Sequence, residues 1–384
     1  MFKLVVMDLY KMKKFLTKSN IIIAFVSILL LLSFFGNITI RRVRNFVRDI
    51  YYFHYEDEIW LPKKLKGKEL PTKVVQFDNI KYVKIINLDS AKDRREYYER
   101  MLRHELGESF LGKKVGDDIR LKGVYGNTDV EFVNLETGEV WDYDKIVKKN
   151  GGKWSWQASK AVFGVDTKWI GRVKNDKNVY IKFSPLDIAD SYKENMHEKF
   201  YRSIFTKFGC HLSHLKAIQE ISRLPKGSWG LVLEDDFQVC QWFYRDFKEK
   251  ILNNVPKDAE MLKLVMKPSY LYYGYFKENR GNIYNSFANK GFSDWLDLKE
   301  ATKLTKGNVI SNGANMISQE GAKKIADFYK NNFALNPNAN DYEFFWSMPK
   351  DDRIKLRSYQ YLPKKRMIWL SNFDKVSSVM NWAK

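Results

Sequence analysis

Trp229-Gly230-Leu231-Val232-Leu233-Glu234-Asp235-Asp236 is the stretch on which the reading of this chain turns. The apolar run Trp229 to Leu233 predicts a buried strand, and three acids follow it without a break. Carboxylates packed at a strand end repel one another and lose hydration. Such a cluster persists where something cationic meets it, most often a divalent metal. In an α/β chain, a metal at a strand end is a common device for gripping a phosphorylated substrate. The one-residue gap between Glu234 and Asp236 lets two acids reach a metal and a ribose together. The alternative is a helix N-cap cluster facing water.

The flanking segments set this strand in a layered fold. Upstream, Gly209 to Leu224 has helical spacing, with Leu212, Leu215, Ile218 and Ile221 on one face, and Pro225-Lys226-Gly227 stops it. Further upstream, Tyr82 to Leu88 predicts a strand, and Lys92 to His104 a helix whose apolar positions are Tyr97, Met101 and Leu102. Downstream, strands are expected at Met261 to Val265 and Asn308 to Ile317, after which Ser318 can cap a helix from Gln319 to Lys330. The alternation argues for an α/β layer fold with a mostly parallel central sheet. Residues 127–200 read differently. Asn150-Gly151-Gly152 and the close pair Trp154 and Trp156 suggest loops and hairpins of an insertion or subdomain. Its tryptophans are expected in the core first and as an aromatic sugar platform second.

With 384 residues, 45% of them hydrophobic and 15% aromatic, the chain has material for a large core and is not a disordered polymer. The net charge of +20 favours acidic partners: headgroups, nucleic acid or phosphorylated substrates. The lysines are scattered, and no RNP-type, homeodomain or zinc-finger pattern occurs, so no nucleic-acid partner is expected. Two cysteines, Cys210 and Cys240, exclude a disulfide framework. They are expected as buried thiols, a single bridge being the alternative, and no CxxC or CxxH spacing points to zinc.

The N-terminal region predicts an anchor. Residues 1–20 form a short basic tail. Residues 21–40 are an uncharged, largely apolar stretch of about 20 residues, long enough to span a bilayer as a signal anchor. Ser33-Phe34-Phe35-Gly36 is a poor cleavage site. Lys3, Lys11, Lys13, Lys14 and Lys18 precede the span, and Arg41, Arg42, Arg44 and Arg48 follow it, nearly a tie by the positive-inside rule. The short preceding segment favours a cytoplasmic N-terminus and a type II, single-pass arrangement. Residues 41–78 read as a stem broken at Leu61-Pro62 and Leu70-Pro71, and residues 79–384 as the globular domain.

Four segments of that domain resemble glycosyltransferase family 25, which includes lipooligosaccharide galactosyltransferases and collagen hydroxylysine galactosyltransferases. Ile85-Ile86-Asn87-Leu88-Asp89 with Asp93-Arg94-Arg95 is similar to its first signature, and Gly209-Cys210-His211-Leu212-Ser213-His214 to its second. Leu233-Glu234-Asp235-Asp236 resembles the third. Asn312-Gly313-Ala314-Asn315-Met316-Ile317-Ser318, with Gly321-Ala322-Lys323-Lys324, resembles the fourth. Order and approximate spacing agree from residue 82 to about 362. One departure is Tyr125 in Gly123-Val124-Tyr125-Gly126, where the family often has an acid.

The resemblance implies a GT-A-like nucleotide-sugar-binding fold and a metal-assisted transfer of a hexose, galactose first, from a UDP-sugar to a glycan or a hydroxylated protein side chain, with inversion. It implies Asp236, with Glu234, as ligand to Mn²⁺ or Mg²⁺. Asn87 and Asp89 can hydrogen-bond the nucleoside, and Arg94 and Arg95 at a helix start can pair with phosphate. The alternative is that Asp89 caps the helix and the arginines form surface pairs. Ser213, His214, Glu234, Asn312 and Gly313 complete the expected donor site, His214 bonding either a phosphate or a carboxylate. Inversion needs a base for the acceptor hydroxyl, for which Asp341, with its neighbour Glu343, resembles the family's C-terminal acid. The implied setting is the Golgi or endoplasmic reticulum lumen in a eukaryotic or viral context and the inner membrane in a bacterial one. The rival readings are a catalytically silent member acting as a glycan- or nucleotide-sugar-binding module, and a membrane-tethered scaffold for anionic lipids.

Overall fold

A computed structural model describes residues 70–149, 163, 167–184, 204–239, 243–264, 295–297, 313–334, 354–361 and 368–370. The expected span at 21–40, the stem up to residue 69, Cys240, Asn312, Asp341 and Glu343 lie outside them. No helix among the described residues is long and apolar enough to cross a membrane.

Eleven strands carry the two larger sheets: β1 (Ile80–Asn87), β2 (Arg120–Lys122), β3 (Val130–Asn134), β4 (Val140–Asp142), β5 (Trp169–Val173), β6 (Asp176–Phe183), β7 (Trp229–Glu234), β8 (Met261–Lys263), β9 (Trp295–Asp297), β10 (Ala314–Ser318) and β11 (Ser358–Tyr361). Three helices matter most: α1 (Lys92–Leu106), α2 (Ile204–Ser222) and α3 (Gln319–Asn331). Ser318 caps α3 as expected, its hydroxyl accepting from the Gly321 N–H at 3.0 Å. On α1 the buried ring is Tyr98 rather than Tyr97, one position round the helix from the expected stripe.

The central sheet has seven strands among the described residues, in the order β9-β11-β8-β10-β7-β1-β2. The mixed α/β class is as expected, but the sheet is not mostly parallel. Of its six pairings, β7–β1, β1–β2 and β8–β11 are parallel, and β7–β10, β8–β10 and β9–β11 are antiparallel. β10 enters between β7 and β8 against the direction of both. Every residue of β10 is buried. A strand covered on both faces is apolar in either orientation, so its pattern carries no mark of its direction.

β7 is covered on both faces too, which is why its sequence does not alternate. Leu231 and Leu233 join the core that holds Val83, Ile85, Tyr98 and Leu102 on the α1 side. Val232 joins the opposite core, with Leu212, Leu215, Ile218 and Ile221 of α2. Gly230 lets α2 lie directly on β7, since a Cβ there would overlap the Ile221 side chain.

Residues 130–183 contain an antiparallel four-stranded sheet, β4-β3-β5-β6, where an insertion or subdomain was expected. Phe132 lies edge-on to Phe163, Phe183, Phe205 and Phe208, with centroids 4.8–5.6 Å away. Trp141 and Trp169 are buried in the same cluster. These two tryptophans are core residues; Trp154 and Trp156 lie outside the described residues.

Candidate functional site

Strand order marks where a ligand crevice is expected before any side chain is considered. From β1 the chain proceeds to its neighbour β2 on one side, and from β7 to β8 on the other. Two parallel neighbours whose connections diverge leave a gap at their carboxyl ends, where ligands of open α/β sheets bind. β1 ends at Asn87 and β7 at Glu234. Sequence signatures about 150 residues apart thus meet at one edge.

Strand parity then divides the acid cluster. Glu234 shares the face of Gly230 and Val232 and points to α2, while Asp235 shares the face of Leu231 and Leu233 and points to α1. Asp235 is buried, accepting from Arg94 Nη1 at 2.5 Å and, on its other oxygen, from Asn87 Nδ2 at 2.8 Å. Burial pushes its carboxyl above the usual carboxylate range, and Arg94 and Asn87 oppose that push. Burial disfavours the Arg94 charge, but Asp235, Asp236 and Asp93 outweigh it and keep the guanidinium charged.

Asn87 is a hub. Its Nδ2 also donates to the Ala91 carbonyl at 3.1 Å, and its Oδ1 accepts from Arg120 Nε at 3.3 Å. Asp89 pairs with Arg120 and, at 2.7 Å, with Lys122, and the hydrogen bonds from these cations hold its carboxyl below the usual range. It does not cap α1, whose N-cap residue is Ala91. Arg95 is a surface pair, 2.9 Å from Glu99 and 2.8 Å from Asp117. So Asn87, Arg94 and Asp235 meet, buried, beside the carboxyl ends of β1 and β7, Asp89 is exposed, and Arg95 turns away.

On the α2 side, His214 is buried, and its Nε2 shares a hydrogen bond of 2.9 Å with Glu234 Oε1. This partner is a carboxylate, one of the two kinds that sequence allowed. Ser213 donates to the Gly209 carbonyl and accepts from the Val124 N–H, both at 2.7 Å. Its hydroxyl ties α2 to the loop after β2. Two glycines make that contact possible: a Cβ on Gly209 would lie 2.6 Å from the Val124 oxygen, and one on Gly126 would overlap the Phe205 carbonyl. His211, buried, bonds the Tyr329 hydroxyl at 2.7 Å and joins α2 to α3. Gly313 borders the cluster, its carbonyl accepting from the Glu234 N–H at 2.9 Å.

Glu234 and Asp236 are half-buried carboxylate residues at the end of β7. Hard oxygen donors of this kind suit Mn²⁺ or Mg²⁺. Glu234 Oε1 faces His214. Sequence reasoning assigned no chemistry to Cys210, yet its sulfur, a His214 nitrogen and a Glu234 oxygen lie within 4.8 Å of one another. The signal was available as Cys-x-x-x-His within a helix, the i,i+4 spacing that puts two side chains on one face. No protein-family model matches this chain, and no curated protein matches it in sequence.

Proposed function

We propose that this chain is a membrane-anchored, GT-A-like glycosyltransferase of the family 25 type, moving a hexose, galactose first, from a UDP-sugar to a glycan or hydroxylated protein side chain. One observation carries the reading. The first and third signatures meet at the carboxyl ends of β1 and β7, where sheets of this kind take their ligands, and the second lies on the helix packed against β7. Fold topology alone hosts many chemistries, so the reading rests on the residues gathered there.

In this reading Asp236 and Glu234 would hold Mn²⁺ or Mg²⁺, which when bound neutralises the charge developing on the departing UDP. The protein's part is positioning. Arg94 neutralises Asp235, so the negative charge left at the crevice belongs to Glu234 and Asp236. Asn87 fixes the turn from β1 to α1 against that pair, and Gly313 brings the fourth signature against Glu234. Asp341, with Glu343 beside it, is the proposed base that takes the acceptor hydroxyl's proton during inversion. The net charge of +20 draws an anionic donor toward the protein. Residues 21–40 would place the domain at a membrane in the type II sense.

Donor hydrolysis tests this without knowledge of the acceptor. The purified full-length chain is incubated with a panel of UDP-hexoses, with and without manganese. The expected result is manganese-dependent UDP release from one sugar, lost in Asp236→Asn. No release from any sugar, with no donor binding by calorimetry, would refute it. Binding without release, even with acceptors, would favour the silent binding module.

A further inference from the structure

We infer that Cys210, His214 and Glu234 form a binding site for a borderline-soft divalent cation of the zinc class. The inference stands on the donor set and the scaffold, and does not require the transferase reading. Thiolate, imidazole and carboxylate are the ligand types zinc takes, and three protein ligands leave a fourth position to water or an exogenous group. Thiolate also discriminates against the hard cations expected at Asp236.

The geometry is close to what a tetrahedral ion asks. Zinc–ligand bonds of about 2.0–2.3 Å separate neighbouring donors by roughly 3.2–3.6 Å. The His214 and Glu234 donors stand 2.9 Å apart, and all three donor atoms fall within 4.8 Å of each other. An ion would spread one pair by a few tenths of an ångström and draw the thiol in by rotation about its side chain. Among the described residues this is the group of three such donors that could meet at one point.

The scaffold is rigid where it must be. Cys210 and His214 are one turn apart on α2, and Glu234 ends β7 on the face turned to that helix. Gly230 against Ile221 and Gly209 against Val124 set the depth of α2 at two points along its length. The His214 side chain is only 4% exposed, so its ring has little room to leave. Metal sites built on helices and strands hold their geometry better than sites on loops. The acids at the strand end then part: Asp235 goes to Arg94, while Glu234 gives an oxygen to the soft ion and, with Asp236, serves the metal of the proposed donor.

Cobalt(II) is the probe, because a thiolate bound to it gives a sulfur-to-metal charge-transfer band that carboxylates and imidazoles do not. The full-length chain, stripped with chelator, is titrated with cobalt and then with zinc. The expected result is a saturable band at one equivalent per chain, displaced by zinc, absent in Cys210→Ser and kept in Cys240→Ser. His214→Asn is expected to weaken zinc by more than the roughly 10–100-fold that loss of an outer-shell contact costs. Far-UV circular dichroism confirms that each variant is folded, and Glu234→Gln gives a second ligand test if Cys210→Ser is not. No band in the wild type, or a band that survives Cys210→Ser, would overturn the site. No donor takes part, so failure here leaves the transferase reading standing, and failure of UDP release leaves this site standing.

Discussion

Removing the Arg94 guanidinium probes the joint between α1 and β7. In Arg94→Met the packing volume of the stem is largely kept, while Asp235 stays buried with Asn87 as its remaining neutral donor. Two unit charges about 4 Å apart at an effective dielectric near 20 attract by about 4 kcal/mol. Breaking a buried pair from one side generally costs about 3–5 kcal/mol, because the orphaned charge has lost its hydration as well. Side-chain exposures of 7% for Arg94 and 9% for Asp235 place this pair in that regime. The expected loss for Arg94→Met is therefore about 3–5 kcal/mol in urea unfolding of the full-length chain, followed by tryptophan fluorescence. Asp235→Asn should cost less, since Asp236 and Asp93 still offset the arginine's charge. The double variant should fall short of the sum of the singles by about 2–3 kcal/mol. A loss under about 1 kcal/mol for Arg94→Met, or additive singles, would refute the claim that this pair locks the strand end to the helix.

Three further outcomes follow from the same structure. Ser213→Ala strands the buried Val124 N–H and should cost about 1–3 kcal/mol in the same assay, whereas a surface value below about 0.5 kcal/mol would mean water reaches that N–H. Gly209→Ala forces a methyl group against the Val124 carbonyl and should destabilise by about 1–3 kcal/mol or prevent folding, so an unchanged midpoint would contradict the close approach of α2. Asp246, buried, accepts from Lys250 at 2.7 Å and Arg245 at 3.0 Å. Burial pushes its carboxyl up, but those cations outweigh burial and hold it below the ordinary 3.8. A lowered folded-state pKa stabilises above the unfolded value, and that stability is lost as pH falls through the folded one. The gap in stability between wild type and Asp246→Asn should hold at neutral pH and shrink below about pH 4; a gap unchanged with pH would remove the ionised carboxylate from the account.

Much of this architecture was legible in the residues. The apolar face Leu212, Leu215, Ile218 and Ile221 is the face α2 buries, and Ser318 caps α3, because helical period and cap chemistry are local properties. Strand β7 was legible as well, as an apolar run closed by acids. The direction of β10 was not. Its residues are covered on both faces, so reversing the strand leaves the pattern unchanged and only its neighbours decide. On α1 the expected Leu102 is buried and Met101 packs against the core, but the buried ring is Tyr98 and not Tyr97, since adjacent tyrosines give the period no means of choosing between them.

The candidate site divides the same way. Sequence alone determined that Glu234, Asp235 and Asp236 close a buried strand, and the period of two already sends the first and second to opposite faces. What waits on each face was decided by tertiary packing. Arg94 arrives from a helix about 140 residues earlier in the chain and takes Asp235, while His214 and Cys210 arrive on α2 and meet Glu234. Local composition fixes which groups are charged and which way they point. Only the packing of distant elements fixes which charges come close enough, in a medium of low enough dielectric, to neutralise one another or to share an ion.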